Sequence, residues 1–285
     1  MILKANAKIN LSLDLTGILP DGYHAINTVM QSVSLCDTVT VEKADCISLE
    51  CSAPGVPTDA RNTAYKAARL FFEKAGIRDG ARLQIEKRIP SEAGLAGGSA
   101  DAAAVLYALN KMYPDAVSEE ELFSVALNVG ADVPFCLAGG TRLCLGKGEQ
   151  MTSLPPFSAF VLLAKPEKGV STGAAFRRFD TSENLLHPDN EKVLSCFENG
   201  RGEEAAEYSV NIFEQLVDLP EGERIKDALK ENGAYYASMS GSGSCFFGLF
   251  GDEDACLAAE RQLEKLVPFT AVCRTADRGV EVISV

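Results

Sequence analysis

The stretch Ile89–Leu106, "IPSEAGLAGGSADAAAVL", places three glycines and several small side chains directly before an alanine-rich run. Apolar residues at positions 83, 85 and 89 alternate with charged ones, which predicts a strand that Pro90 ends. The alanine-rich run predicts a helix that starts near Ser99 and continues to about Tyr113. The sequence therefore indicates a strand, a glycine loop and a helix in succession.

A glycine loop that leads into a helix favours an anion. Its free backbone N–H groups and the helix dipole both attract negative charge, and the missing Cβ atoms let a phosphate come close. Ser99 adds a hydroxyl that can donate a hydrogen bond or bind a metal. The spacing fits neither a Walker A loop, since no lysine follows Gly98, nor GxGxxG. A cation for bound phosphates must then come from elsewhere, and a glycine turn that only packs well is the alternative.

The composition is that of an ordinary globular protein. The 285 residues are 46% hydrophobic and 24% charged, and the net charge of −13 disfavours nucleic acid and anionic lipid as partners. Nine cysteines without a CxxC pair, together with only two histidines, support neither a disulfide framework nor a zinc site. The start of the chain lacks the apolar core of a signal peptide, and no apolar run reaches membrane-spanning length. We expect a cytoplasmic protein with free, buried thiols.

Strands and helices alternate irregularly along the chain, which predicts the α+β class. The pattern at 7–15 predicts a strand with one buried face, so that Lys8 and Asn10 project from the same side. Helices are predicted at 62–76 and, with capping-box spacing, from Ser118 to Gly130. "GADVPFCLAGGTRLCLGKGE" (130–149) is predicted to be strand and turn, and the prolines in 152–158 indicate a linker. The remaining predictions are a strand at 160–164, helical stretches at 189–217, 222–232 and 252–266, and a terminal strand.

The glycine stretch resembles the second motif of the GHMP kinases (galactokinase, homoserine kinase, mevalonate kinase and phosphomevalonate kinase). "NAKINLSLDLTGILPDGYHAINTVMQSV" (6–33) and "SMSGSGSCFFGLF" (238–250) resemble the other family segments, and the matches follow in order along the chain. The first of these, together with "GADVPFCLAGG", resembles the branch that phosphorylates a cytidine diphosphate-linked methylerythritol in the non-mevalonate isoprenoid pathway.

The resemblance implies the GHMP kinase fold and a bisubstrate active site. Residues 1–152 would form an ATP-binding domain like the second domain of ribosomal protein S5, and residues 153–285 a ferredoxin-like domain. The active site would lie in the cleft between them. The implied reaction uses ATP and Mg²⁺ and yields ADP and the 2-phosphate of the substrate.

The resemblance also implies roles for individual residues. Asp132 would be the catalytic base, and Lys8 would acidify the acceptor hydroxyl and neutralise charge. The ATP contacts would be Asn62, Pro90, Ala93, Gly94, Leu95, Ala96, Gly97, Gly98, Ser99 and Ala100, and the substrate contacts would be Asn10, Tyr23, His24, Thr172, Gly241 and Ser242. Tyr23 and His24, which follow an Asp-Gly turn, would form a cytosine pocket. Metal ligands and oligomeric state stay open.

Taken without the family, several of these residues have simpler interpretations. Lys8 and Asn10 would be solvated strand residues, Asp132 a turn former, and Thr172 a loop residue. The sequence also departs from the family pattern at Ala100, where a second serine is common, at Ile212, where aspartate is usual, and at Ala96, where glycine often occurs. Ala96 would be tolerated with a negative φ.

Three other functions compete with this one. The chain could be a GHMP kinase for another small alcohol such as homoserine, or a catalytically silent nucleotide-binding module. An RNA-binding role, suggested only by the ribosomal kinship of the fold, is disfavoured by the acidic charge.

Overall fold

The computed structural model describes all residues from 1 to 285. The strands are β1 (Ile2–Ile18), β2 (His24–Ala44), β3 (Ser48–Cys51), β4 (Gly80–Glu86), β5 (Thr141–Gly146), β6 (Gln150–Ser153), β7 (Phe160–Lys165), β8 (Tyr236–Met239), β9 (Phe246–Phe250), β10 (Phe269–Ala276) and β11 (Val280–Ser284). The helices are α1 (Thr63–Ala75), α2 (Gly97–Met112), α3 (Glu119–Val129), α4 (Val133–Ala138), α5 (Thr172–Phe179), α6 (Asn190–Glu198), α7 (Gly222–Glu231) and α8 (Glu253–Leu263). Short 3₁₀ turns lie at Glu204–Glu207 and Ile212–Gln215. None of the helices combines the length and the apolar character needed to cross a bilayer.

One continuous sheet joins the two ends of the chain. Its main order is β11-β1-β2-β10-β7-β9-β8, and the long strand β2 also pairs with β4 and β5. The last strand returns to the first, with Val280 opposite Ala5. The α+β class is confirmed.

β1 is buried on both faces, so the prediction of one buried face is wrong. Lys8, Asn10, Ser12 and Asp14 are all at most 4% exposed, because elements of the second half of the chain cover the polar side of the strand. The Ser12 hydroxyl, for example, donates to the Val210 carbonyl. Lys8 and Asn10 therefore lie inside the protein instead of in solvent.

The helices with strong start and stop signals form where the sequence predicts them. Asn62 caps α1 and Gly76 ends it in the left-handed conformation. The capping box between Ser118 and Glu121 is present at the start of α3. These short-range signals act through local hydrogen bonds, which explains why they are visible in the sequence.

The prediction of strand and turn for 130–149 is confirmed for β5 (Thr141–Gly146) and wrong for Val133–Ala138, which form α4. Pro134 lies in the first turn of this helix, where its missing N–H removes no intrahelical bond. In the second half, the helical stretch expected at 189–217 divides into α6 and the two 3₁₀ turns. The segment that begins at Thr172 is a helix, α5, and not a loop.

Ala96 adopts a left-handed conformation, so the negative φ with which an alanine would be tolerated here is absent. Its φ is +58°, at the residue that precedes α2. An L-residue with a side chain is strained in this region because Cβ approaches the backbone.

We expect Ala96→Gly to raise the free energy of unfolding by about 0.5 to 1 kcal/mol, because relief of this strain exceeds the added entropy of the unfolded chain. Chemical denaturation measures the change. Ala258→Gly, on the exposed face of α8, is the control and should lower stability by about 1 kcal/mol. A destabilised Ala96→Gly variant would contradict the strain.

Candidate active site

Lys8 is a buried cation at the centre of β1. Its ammonium donates to Asn10 Oδ1 at 2.7 Å and lies 3.8 Å from Asp132 Oδ2. Asn10 in turn donates to Thr28 Oγ1 at 2.9 Å, so its amide is fixed between the two side chains. A buried charge requires such partners, because loss of solvation is costly.

Asp132 occupies the residue directly before α4. Its side chain makes no capping hydrogen bond to that helix and is 35% exposed, whereas the Lys8 side chain is 5% exposed. The structure therefore brings the two predicted catalytic residues together, with the carboxylate open to a ligand and the ammonium behind it.

The glycine loop borders a cavity of about 310 Å³, lined by residues 63, 87 and 89–99. Every predicted ATP contact from Pro90 to Ser99 lies on this wall, while Ala100 is fully buried in α2. The backbone N–H of Lys8 donates to the Leu95 carbonyl at 3.1 Å, which fixes the loop next to the Lys8–Asp132 pair. The first N–H groups of α2 have no intrahelical acceptor and face the start of the helix.

A side chain at Gly94 is excluded for a second reason, besides the close approach of a phosphate. A Cβ at this residue would lie 2.0 Å from the Ser240 carbonyl oxygen, and φ is +72°. The Ser240 hydroxyl donates to the Gly94 carbonyl at 2.9 Å, and the N–H groups of Ser244 and Cys245 donate to Glu92 and Ala93. The two glycine-containing loops are thus in direct backbone contact.

The second loop, Ser240–Ser244, also contacts Lys8. A Cβ at Gly241, whose φ is +56°, would lie 3.3 Å from Lys8 Nζ. Ser242 shares a 2.8 Å hydrogen bond with Thr172, the first residue of α5. Of the predicted substrate contacts, Gly241 therefore lies close to the ammonium group, and Ser242 and Thr172 lie next to each other.

Asn211 holds this loop from behind, and sequence reasoning missed it. Its side chain is buried and donates to the carbonyls of Met239 and Gly241 at 2.6 and 2.8 Å, while it accepts from the Phe213 N–H. The neighbouring Ile212, the departure from the family pattern, is a core residue with no exposed surface. The segment therefore contributes to the site through Asn211. The only sequence signal for this residue was an asparagine at the start of a turn.

A buried charge cluster lies below the glycine loop. The Lys87 ammonium pairs with Asp37 and, at 2.7 Å, with Asp101 on α2. Asp37 also accepts the N–H groups of Arg88 and Ile89, which begin the loop. Burial raises the pKa of the Asp101 carboxyl to about 7, helped by the Asp37 charge and opposed by Lys87. Since Lys87 lines the cavity, it is a cation of the kind that the glycine loop itself lacks.

Tyr23 and His24 differ in their surroundings. The Tyr23 ring is exposed, with the Lys147 ammonium 4.1 Å from its centroid. The His24 side chain is only 14% exposed and packs against Phe176 and Phe179 of α5. The turn thus leaves Tyr23 exposed and His24 only partly accessible.

Asn62 is committed to local structure. Its Oδ1 caps α1 by accepting from the Ala64 N–H, and its Nδ2 donates to the Pro57 carbonyl. Thr63, the next residue, donates to the Gly98 carbonyl at 2.7 Å and links α1 to the glycine loop. The role of Asn62 beside adenine stays a prediction.

The cavity also offers oxygen ligands. Ser99 and Glu92 lie on its wall, and hydroxyl and carboxylate oxygens suit Mg²⁺. No group of three or more His, Cys, Asp or Glu side chains forms a metal cage. The donor set fits a Mg²⁺ ion that arrives with a nucleotide and keeps phosphate and water ligands.

Two family models match the chain. "GHMP kinases N terminal domain" covers residues 62–140 and "GHMP kinases C terminal" covers residues 186–268. The chain belongs to the GHMP kinase family. This GHMP kinase is accordingly a small-molecule kinase that uses ATP as a substrate.

Relatives of this GHMP kinase extend over nearly the whole chain. It is 43% identical to 4-diphosphocytidyl-2-C-methyl-D-erythritol kinase of Caldicellulosiruptor bescii over 281 residues, which cover 96% of this chain and 98% of the relative. It is 45% identical to the enzyme of the same name from Clostridium botulinum (strain Eklund 17B / Type B) over 270 residues, 93% of this chain and 95% of the relative.

Solved structures agree with the fold of this GHMP kinase. A crystal structure of 4-(cytidine 5'-diphospho)-2C-methyl-D-erythritol kinase matches with a TM-score of 0.82 and 33% identity, covering 97% of this chain and 99% of the other. Homoserine kinase from Cytophaga hutchinsonii matches with a TM-score of 0.76, covering 99% and 97%, but at 19% identity it shows the fold alone. The GHMP kinase fold predicted from the sequence is confirmed.

We expect Asn211→Asp to lower kcat about 10- to 100-fold near pH 8, because a carboxylate would face two carbonyl oxygens and displace the Gly241 loop. Activity should partly return at lower pH, where the protonated acid can donate one hydrogen bond. Steady-state kinetics across pH measure both effects.

The matched control is Asn232→Asp, which alters a half-buried asparagine that donates to a backbone carbonyl at the end of α7. Its kcat should stay within about twofold of wild type. Equal losses in the two variants would refute a specific role for Asn211.

Proposed function

We propose that this GHMP kinase transfers the γ-phosphoryl group of ATP to a hydroxyl of 4-diphosphocytidyl-2-C-methyl-D-erythritol, giving the 2-phosphate and ADP in the non-mevalonate isoprenoid pathway. The observation that carries the proposal is the Lys8–Asp132 pair, 3.8 Å apart, beside a glycine loop at a helix N-terminus. The names of relatives that match nearly the full length of the chain support the substrate.

Asp132 acts as the base in this mechanism. Phosphoryl transfer to an alcohol depends mainly on positioning, on neutralisation of charge and on a group that accepts the hydroxyl proton. The partly exposed carboxylate of Asp132 can reach a bound alcohol, and its proton acceptor is an Oδ atom. The buried Lys8 ammonium orients that carboxylate and stabilises negative charge on the transferring group.

The phosphate chain occupies the cavity beside the glycine loop. Backbone N–H groups at Gly97, Gly98 and Ser99 face it at the start of α2, and the Lys87 ammonium, which is paired with Asp37 and Asp101, lies on its wall. Ser99 and Glu92 would hold Mg²⁺, which supplies charge neutralisation on the phosphates when bound.

The cytidine end of the substrate lies at Tyr23 and His24. The exposed Tyr23 ring offers a face on which the base can stack. The His24 ring packs on Phe176 of α5 and can form a hydrogen bond with the edge of the base. Phe176, which the sequence did not single out, joins this pocket through its contact with His24.

We also keep the domain division at 1–152 and 153–285 and a cytoplasmic location as proposals. The irregular segment at 154–159 supports the division, as do the two family models, which lie on either side of it. Nine unpaired cysteines support a reducing compartment.

We expect Asp132→Ala to lower kcat about 10² to 10⁴-fold while ATP binding is retained, because the variant loses the proton acceptor but leaves the glycine loop unchanged. Release of ADP from MgATP and the cytidylated methylerythritol measures kcat, and calorimetry measures ATP binding. A wild-type rate in this variant would mean that another group is the base. Homoserine and mevalonate are the control acceptors, and turnover of either in place of the cytidylated compound would contradict the proposed substrate.

We expect the double substitution Tyr23→Ala and His24→Ala to raise KM for the cytidylated substrate at least about tenfold, since stacking of one base contributes about 1 to 3 kcal/mol. KM for ATP should change little, because the glycine-loop cavity does not include these residues. Steady-state kinetics with each substrate varied in turn measure the effect, and an unchanged KM for the cytidylated substrate would remove the pocket from the mechanism.

A further inference from the structure

The His24 imidazole is held by a single charged partner. Its Nε2 atom lies 2.7 Å from Asp180 Oδ1, and its ring packs on Phe176 with centroids 4.8 Å apart and planes inclined by 31°. The Phe179 ring meets it edge-on at 5.8 Å. The ring is therefore restrained on one face by aromatic carbon and on one edge by a carboxylate.

Asp180 determines which nitrogen of the neutral ring carries the proton. An ionised carboxylate only accepts hydrogen bonds, so the Nε2 atom that faces it must be the N–H donor. In the neutral imidazole the other nitrogen, Nδ1, is then an acceptor. Nδ1 has no hydrogen-bond partner within the protein.

The position of Asp180 is not explained by the helix that it follows. Asp180 is the residue at the C-terminal end of α5, where the helix dipole favours a cation, and Arg177 and Arg178 precede it in the last turn. A carboxylate there gains nothing from the dipole. The contact with His24 is the favourable interaction that the structure shows for it.

An acceptor at Nδ1 distinguishes between pyrimidines. On its Watson–Crick edge cytosine has one donor, the N4 amino group, so an acceptor nitrogen can meet that edge only at N4. Uracil presents the O4 acceptor at the same place, as thymine does, and two acceptors repel. When uracil binds in the same position, neither the His24 Nδ1 acceptor nor the uracil O4 acceptor therefore gains a hydrogen bond.

We propose that Asp180 is a positioning residue for specificity: by holding the Nε2–H form of His24, it makes the substrate pocket select cytidine diphosphate-linked over uridine diphosphate-linked alcohols. The inference rests on the proposed function, because it assigns the base-recognition step to the same pocket. Asp180 acts through His24 and does not itself contact the base.

The kinetic test compares the cytidylated methylerythritol with its uridylated analogue. In the wild-type enzyme kcat/KM should favour the cytidylated compound by about 100-fold or more, as expected for a site built around one hydrogen bond. Asp180→Asn and Asp180→Ala should reduce that ratio about tenfold or more, because both tautomers of His24 become accessible. KM for ATP should not change. Asp227→Asn, the same loss of charge on the exposed face of α7, should leave the ratio unchanged.

A spectroscopic test observes the tautomer directly. The chain has only two histidines, so ¹⁵N imidazole spectra of the full-length protein contain two ring systems, and His187→Asn assigns them. The wild-type spectrum should show His24 protonated at Nε2 at a pH where the ring is neutral, and Asp180→Ala should shift it towards a tautomer mixture. This measurement needs no substrate. A variant that fails to fold is recognised by loss of its dispersed spectrum. In that case the tautomer of His24 in the wild-type protein alone tests the role of Asp180.

The outcomes separate the two proposals. If the wild-type enzyme phosphorylates neither compound, the proposed function fails while the tautomer measurement stays valid. If it prefers the cytidylated compound but both Asp180 variants keep the full ratio, the role of Asp180 is refuted. A wild-type His24 protonated at Nδ1 refutes it as well.

Discussion

The contact between two short loops sets the geometry of this kinase. The loop around Gly94 and the loop at Ser240–Ser244 are 146 residues apart in sequence, yet their backbones touch because Gly94 has no side chain. The Ser240 hydroxyl and two backbone N–H groups hold the loops together, and the N–H of Lys8 binds the first loop at Leu95. One contact therefore fixes the phosphate-binding amides, the acceptor-side loop and the central cation relative to one another.

The buried ammonium of Lys8 depends on that arrangement. A charge with so little solvent access is tolerated only with close polar partners, which here are Asn10 and Asp132. Asn211 then holds the Gly241 loop, which lies close to the same ammonium. Positional accuracy of this kind matters for phosphoryl transfer, where small displacements of reacting groups strongly reduce the rate. The site is consequently built from residues of both halves of the chain.

Much of the fold could be predicted from the sequence, and the exceptions have physical causes. The caps of α1 and α3 were visible because the Asn62 cap acts over two residues and the Ser118 capping box over three. α4 was missed because Pro134 signals a break, although it is compatible with the first turn of a helix. The glycine loop was predicted from its own residues, whereas the pair Lys8 and Asp132 was found through family resemblance. Without that resemblance, Lys8 would have been interpreted as a solvated strand residue and Asp132 as a turn former. Lys87 and Asp180 carried no local pattern that marks them, and Asn211 carried only the weak signal of an asparagine at the start of a turn.

The sequence by itself determined the class of the fold, the helix that follows the glycine loop and the family to which the chain belongs, since these follow from short-range patterns and ordered motifs. Only the tertiary structure decided that β1 is buried on both faces and that Ala96 is left-handed. It also decided that Gly94 leaves space for a backbone carbonyl. These facts depend on which distant segments pack together, and packing between residues far apart in sequence leaves no periodic pattern in either segment.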